Sequence, residues 1–181
     1  MTEDIYNDML EKFPSTFEKT SLDREKSEYM TSCQKEVVYF DQFKVDFMKT
    51  LLITDEKGFC KSCDAIYMTT SQKEFFMIEF KNGDFKNNDI KIKILESLLL
   101  LSRKFPKTNF MEGNMYFILV YNEDVRKQEQ PKNTDVKNVS KHLFSSAKER
   151  EIRFGLNRFK KLYFKDVFTY SKTEFVSKYC V

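Results

Sequence analysis

Cys63-Asp64-Ala65-Ile66-Tyr67 and Phe75-Phe76-Met77-Ile78-Glu79-Phe80-Lys81 are two apolar, strand-like runs that carry three charged groups between them. Residues two apart on a strand share a face, so Glu79 and Lys81 project together from a surface whose other members are Phe75 and Met77. A carboxylate and an ammonium set against apolar neighbours cost several kcal/mol each unless they pair or bind something. A divalent metal held for phosphodiester chemistry gives that expense a reason. The plainer alternative is a structural ion pair between Glu79 and Lys81 at a strand end, with Asp64 as a turn acid.

The carboxylate-x-lysine spacing means little alone, because Asp55-Glu56-Lys57, Asp84-Phe85-Lys86, Asp89-Ile90-Lys91 and Asp135-Val136-Lys137 share it in a chain that is 33% charged. Context separates them. Only Glu79-Phe80-Lys81 ends a long apolar strand, follows a strand carrying another acid, and precedes a cappable helix.

The elements that must hold these residues are legible in outline. Tyr6, Met9, Leu10 and Phe13 have helical spacing that Pro14 should end, and a charged, poorly periodic stretch follows to about Ser32. Residues 1–33 therefore read as a helical arm and 34–181 as the core. From Gln34 to Leu52, Tyr39, Phe40, Phe43, Phe47 and Leu51 predict one helix, with Glu36 on its apolar stripe. Glu36 is then either an inward-facing acid or a first-turn acid favoured by the helix dipole.

Phe59–Thr70 and Glu74–Lys81 predict a hairpin around Ser71-Gln72-Lys73, the second strand apolar on both faces and so central and covered. Asn82-Gly83-Asp84 breaks it. Asn88 or Asp89 can cap a helix to about Lys104, with Ile94, Leu95, Leu98 and Leu101 as its stripe. Lys91, one turn earlier on that stripe, would reach the sheet end where Lys81 emerges, and Lys93 is turned away. Met115 to Tyr121 predicts another buried strand, residues 123–139 a polar loop, residues 140–150 a helix, and Phe164–Tyr170 a last strand. Ser171-Lys172-Thr173-Glu174 has the capping-box form that opens a terminal helix. The order of elements is α/β.

Composition bounds the rest. A chain of 181 residues, 41% hydrophobic with 19 Phe, can bury one sizeable core, and scarce Gly and Pro (4 and 3) leave no linker. The net charge of +3, from 31 basic and 28 acidic residues, neither demands nor excludes a nucleic-acid partner. Glu3, Asp4 and Asp8 argue against a secretory signal, and the run from Ile94 to Leu101 is too short to span a bilayer, so a cytoplasmic protein without membrane contact is expected. Cys60-Lys61-Ser62-Cys63 is half of a zinc or redox motif, with only Cys33, Cys180 and His142 to complete it; ordinary reduced thiols are the simpler reading.

Residues Gln34 to Tyr121 resemble the PD-(D/E)XK, or restriction-endonuclease-like, nuclease superfamily, whose signature is an acid in the second core strand and E-x-K at the end of the third. Asp64 matches the lone acid, Glu79-Phe80-Lys81 the triplet, and Glu36 an extra acid from the first core helix. Cys63 departs from the family pattern, which often has proline there. The resemblance implies a central mixed sheet flanked by helices, its opening strand drawn from Leu51–Lys57 or Phe59–Ser62. It also implies Mg²⁺ or Mn²⁺ held by Asp64, Glu79 and the Phe80 carbonyl, with Lys81 orienting the attacking water. The expectation is a metal-dependent nuclease, acting on DNA rather than RNA. Lys91, Arg153, Arg158, Lys160 and Lys161 would contact phosphates, and paired cuts would need two active sites, which leaves room for a homodimer. The competing readings are a catalytically silent protein that uses the same scaffold to bind nucleic acid or a protein partner, and a structural or inhibitory protein with a Phe- and Lys-rich interface.

Overall fold

The computed structural model describes residues 1–52, 60–110, 114–125 and 152–180. The helix expected over 140–150, His142 and most of the 123–139 loop lie outside the described residues. In chain order the elements are α1 (Glu3–Lys12), β1 (Pro14–Thr16), α2 (Phe17–Thr20), β2 (Leu22–Asp23), β3 (Glu28–Tyr29), β4 (Glu36–Tyr39), α3 (Phe40–Thr50), β5 (Ala65–Met68), β6 (Phe75–Lys81), α4 (Asn87–Lys104), β7 (Met115–Tyr121), a 3₁₀ turn (Asn157–Phe159), β8 (Asp166–Ser171) and α5 (Lys172–Tyr179).

Six strands form one mixed sheet in the order β1-β4-β5-β6-β7-β8, and β2 pairs only with β3. Pairing is antiparallel from β1 to β6 and parallel from β6 through β7 to β8. The parallel step needs a crossover, and α4 supplies it. As the apolar pattern predicts, β6 is central. Phe75 and Met77 pack into a core layer with Ile90, Ile94, Leu98 and Leu101 of α4. Phe76, Ile78 and Phe80 pack into a second layer with Phe17 and Phe175. Each buried side chain of this size contributes about 2 kcal/mol of hydrophobic stabilisation, which fixes the strand carrying Glu79 and Lys81 firmly.

Three expectations are corrected. The single helix over 34–52 is a strand followed by a helix: Val37 and Val38, both fully buried, pair with β1, and Val38 also pairs with β5. β-branched residues suit that pleated surface, and the sheet outweighs the helical spacing that begins at Glu36. The arm of residues 1–33 is only partly helical, because β1 forms the sheet edge and the β2–β3 hairpin folds back toward the end of β6. The strand before β5 in the meander is β4, not Leu51–Lys57 or Phe59–Ser62; residues 53–59 of those stretches are outside the described residues. The terminal helix matches its predicted start, with both capping-box hydrogen bonds between Ser171 and Glu174 present.

Candidate active site

The short stretch before β5 is pinned from two sides, and that places Asp64. From α4, Ser97 Oγ accepts the Cys63 amide at 2.9 Å, Glu96 accepts the Lys61 amide, and Asp89 meets the Lys61 ammonium at 2.7 Å. From α3, Asp41 accepts the Ser62 hydroxyl. The backbone amide of Asp64 donates to Ile78 at 3.0 Å, and the Phe80 amide donates to Asp64 Oδ2 at 2.6 Å. Asp64 therefore sits beside the end of β6 with one oxygen committed to backbone and one left over.

Glu79 is completely buried, with a side-chain exposure of 0%. Its Oε1 accepts from Lys81 Nζ at 2.8 Å and from Lys93 Nζ at 2.7 Å, while Lys93 Nζ stands 3.6 Å from Asp64 Oδ1. Two carboxyl groups and two amino groups thus converge. Among the described residues, Glu79 Oε2 is the one buried side-chain polar atom without a hydrogen-bond partner, a costly state for a carboxylate oxygen.

Burial, and then the charge of Glu79, push the Asp64 carboxyl up to about 7, against the opposing pull of Lys93 and Lys81. Burial draws Lys93 down, but Asp64 and Glu79 together outweigh it and hold the ammonium well above its ordinary range. Lys93 is the more firmly charged member of that pair. Asp41 adds a weaker negative field at Asp64.

Beside this cluster lies a cleft of about 350 Å³. Asp64 and Phe80–Asp84 form one wall, and Thr20–Glu25 with Met30 form the other. Asp64 and Lys81 line the cleft, and Glu79 does not. The hairpin is tied across it by Lys26 Nζ donating to the Asn82 carbonyl at 3.4 Å and by Asn82 Nδ2 donating to Glu28 at 3.0 Å.

Asp64, Glu79 and Lys81 are therefore brought together, and the remaining site residues are distributed differently. Glu36 is corrected: it is exposed on β4, opposite Thr16 and three residues before Tyr39, which pairs with Ala65 beside Asp64. Asp64 itself faces Phe40, four residues on, so at about 3.3 Å per strand residue Glu36 lies about 13 Å from the Asp64 row. The acid that the helix does offer is Asp41, five residues later.

Lys91 Nζ lies beside Gly155, 3.9 Å from where a Cβ there would stand, and the neighbouring Phe154 packs on Tyr121, the partner of Lys81. Lys93, expected to turn away, is corrected: it enters the cluster. The buried face of α4 runs through Ile90, Ile94, Ser97 and Leu101, and Leu95 is exposed. Lys93, three after Ile90 and four before Ser97, lies on that face. Ile90 was the signal that could have found it.

Arg153 donates to the Tyr121 hydroxyl and stacks on its ring, and Tyr121 pairs with Lys81, so Arg153 borders the same end of the sheet. Lys160 pairs with Asp166 at 3.0 Å, and Asp166 lies opposite Tyr116, at the far end of the parallel strands. Lys161 caps the adjoining turn, its amide donating to Phe164 at 2.7 Å, and Arg158 stacks on Phe159. Those three are not gathered at the carboxylates. Of the Cys pair, Cys63 is fully buried in the core and its thiol is raised well above the usual range, chiefly by burial.

A hard divalent cation fits the donor chemistry: the unpartnered Glu79 Oε2 and Asp64 Oδ1, which faces Lys93 Nζ at 3.6 Å, are carboxylate oxygens of the kind Mg²⁺ and Mn²⁺ prefer. Lys93 is its competitor for the same charge. Among the described residues, no group of three or more His, Cys, Asp or Glu gathers to hold a metal ion, and no helix is long and apolar enough to cross a membrane. Comparisons with family models, curated proteins and solved structures found no match.

Proposed function

We propose that this chain is a metal-dependent nuclease of the restriction-endonuclease-like kind, hydrolysing phosphodiester bonds, in DNA rather than RNA. The observation that carries the reading is Glu79: a wholly buried carboxylate at the end of a central strand, converging with Asp64 and Lys81, with one oxygen unpartnered. An antiparallel meander followed by a helical crossover to a parallel strand is also the arrangement the resemblance implies.

Asp64 and Glu79 would hold the cation with the Phe80 carbonyl, and Asp41 is close enough to add negative field. A bound Mg²⁺ or Mn²⁺ supplies a water of lowered pKa and polarises a phosphoryl oxygen. Lys81, which lines the cleft, would neutralise charge growing on the phosphate or orient the attacking water. Lys93 donates to Glu79 Oε1 and stands between the two acids in the resting site.

A second reading has its own support. Lys93 Nζ contacts both carboxylates, and Lys81 engages Glu79 rather than Asp64. A site so neutralised suits a silent scaffold that binds nucleic acid or a protein. The deciding experiment incubates purified protein with DNA and RNA in Mg²⁺ or Mn²⁺. Cleavage stopped by chelator and lost in folded Asp64→Ala and Lys81→Ala supports the nuclease. Activity that survives both substitutions rules this site out, and failure on every substrate favours the silent reading.

A further inference from the structure

We infer that Cys33 and Cys180 are a dithiol pair that closes to a disulfide when a small-molecule disulfide oxidises the protein, stapling the segment behind the β2–β3 hairpin to the C-terminal helix α5. The inference stands apart from the nuclease reading. Thr31 lies between the two cysteines: its Oγ1 is 3.6 Å from Cys180 Sγ and accepts the Cys33 amide at 3.2 Å. Cys33 Sγ in turn faces the carbonyl of Tyr179, the residue before Cys180, at 4.0 Å. Two residues near opposite ends of the chain thus meet around one hydroxyl.

Both backbones are held before any bond forms. On one side, the Glu18 amide donates to the Cys33 carbonyl at 2.9 Å and the Phe17 amide to the Lys35 carbonyl at 3.1 Å, while the Met30 and Thr31 amides donate to Ser21. On the other, the Cys180 amide donates to the Val176 carbonyl at 3.0 Å, and Phe175 of the same helix meets Phe17 at a centroid distance of 5.2 Å. Cys33, Met30 and Phe17 share one core layer, with Tyr179 and Cys180 packed against it. Groups fixed in this way meet at a far higher effective concentration than groups on a loose chain. The nearer pair in sequence is placed differently: Cys60 Sγ donates to the Lys61 carbonyl at 3.6 Å, and Cys63 is fully buried in the other layer.

The chemistry balances as two exchanges. The half-buried Cys180, as thiolate, attacks one sulfur of the small disulfide and expels the other half, which takes up the proton that Cys180 lost. Cys33 then gives up its proton, attacks Cys180 Sγ in the mixed disulfide, and expels the second small thiol. Two protein thiols are oxidised, and one small disulfide is reduced to two thiols. Burial, and then a hydrogen bond with Cys33, push the Cys180 thiol up to about 12. Such a thiol reacts slowly at neutral pH, but it is also a poor leaving group, so the closed bond resists reduction. Met30, three residues before Cys33, lines the cleft, and the staple therefore fixes the root of the hairpin wall.

The test incubates the reduced chain with oxidised glutathione at mildly alkaline pH. Peptide mass spectrometry without reductant, which needs no variant, should find Cys33 joined to Cys180. Closing so long a loop should raise the melting temperature by about 5–15 °C, and reductant should reverse both changes. Cys180→Ser should lose the link and the rise, and Cys60→Ser should keep them. Thiols that all stay free, or a link between any other pair, overturn the inference. A Cys33–Cys180 link without the rise, or a rise that persists in Cys180→Ser, overturns the staple.

Discussion

Lys93 is the residue on which the cluster turns. Removing it leaves Lys81 as the one cation of the cluster, paired with Glu79 and acting on Asp64 only at longer range. Breaking a buried ion pair from one side costs about 3–5 kcal/mol, so Lys93→Met should lower the urea midpoint sharply, and adding Glu79→Gln should recover much of the loss. If Asp64 and Glu79 also bind metal, Mn²⁺ should raise the melting temperature of Lys93→Met more than that of the native protein. Equal shifts would mean that the ammonium and the metal do not share a place. Asp64 makes a pH prediction. Its folded pKa of about 7 lies above the ordinary carboxyl value, so the folded state holds its proton more tightly than the unfolded chain. Stability from this group is present below about pH 4, declines as pH rises, and is lost above pH 7. Asp64→Asn keeps an acceptor for the Phe80 amide and removes the titration. It should exceed the native protein in stability at pH 8 by about 1–2 kcal/mol, with a smaller difference at pH 5 in thermal melts.

The hairpin and the end of β6 act together through Asn82, whose side chain makes two hydrogen bonds at 2.7 and 3.0 Å. Asn82→Ala leaves Glu28 and Asn122 without those partners and should cost about 1–3 kcal/mol. Local opening should show first as faster hydrogen exchange at the hairpin amides, with β7 still protected; uniform acceleration across the sheet would mean that the hairpin is not a separable latch. At the other end of α4, the lining of the site depends on which side of the helix is buried. Ile90 and Ser97 turn Lys93 inward, and a stripe drawn through Leu95 turns it outward by one flank. A single residue of phase on a helix therefore exchanges Lys91 for Lys93 at the carboxylate cluster.

The molecule is held by two apolar layers on either side of one sheet, and the N-terminal 33 residues belong to both. Tyr6 and Met9 pack with Phe75 in the first layer, and Phe17 meets Tyr67, Phe80 and Phe175 in the second, at centroid distances of 5.2, 6.4 and 5.2 Å. Removing residues 1–33 should abolish cooperative unfolding rather than trim an appendage. The milder Phe17→Ala should cost about 3–5 kcal/mol, read by denaturant titration. A cost under about 1 kcal/mol would show that the arm is dispensable to the core.

What local pattern dictates came through clearly in this chain. The unbroken apolar run of β6 places Glu79 among buried groups wherever the strand lies, and the Ser171–Glu174 capping box starts α5 from side-chain chemistry alone. The cluster of Asp64, Glu79 and Lys81 was legible because charges flanked by so many apolar residues have few other ways to be satisfied. The rest depended on partners distant in the chain. Val37 and Val38 became strand because β1 and β5 were there to pair with them, and Glu36 was carried away from the site with them. Asp41 and Lys93 entered the site because Ser62 and Glu79 were placed to meet them. The hairpin wall arose from hydrogen bonds joining residues 26 and 28 to residue 82. Period and capping are set within a turn or two of backbone, whereas register, helix phase and the covering of a cleft are set by contacts that exist only once the whole sheet has formed.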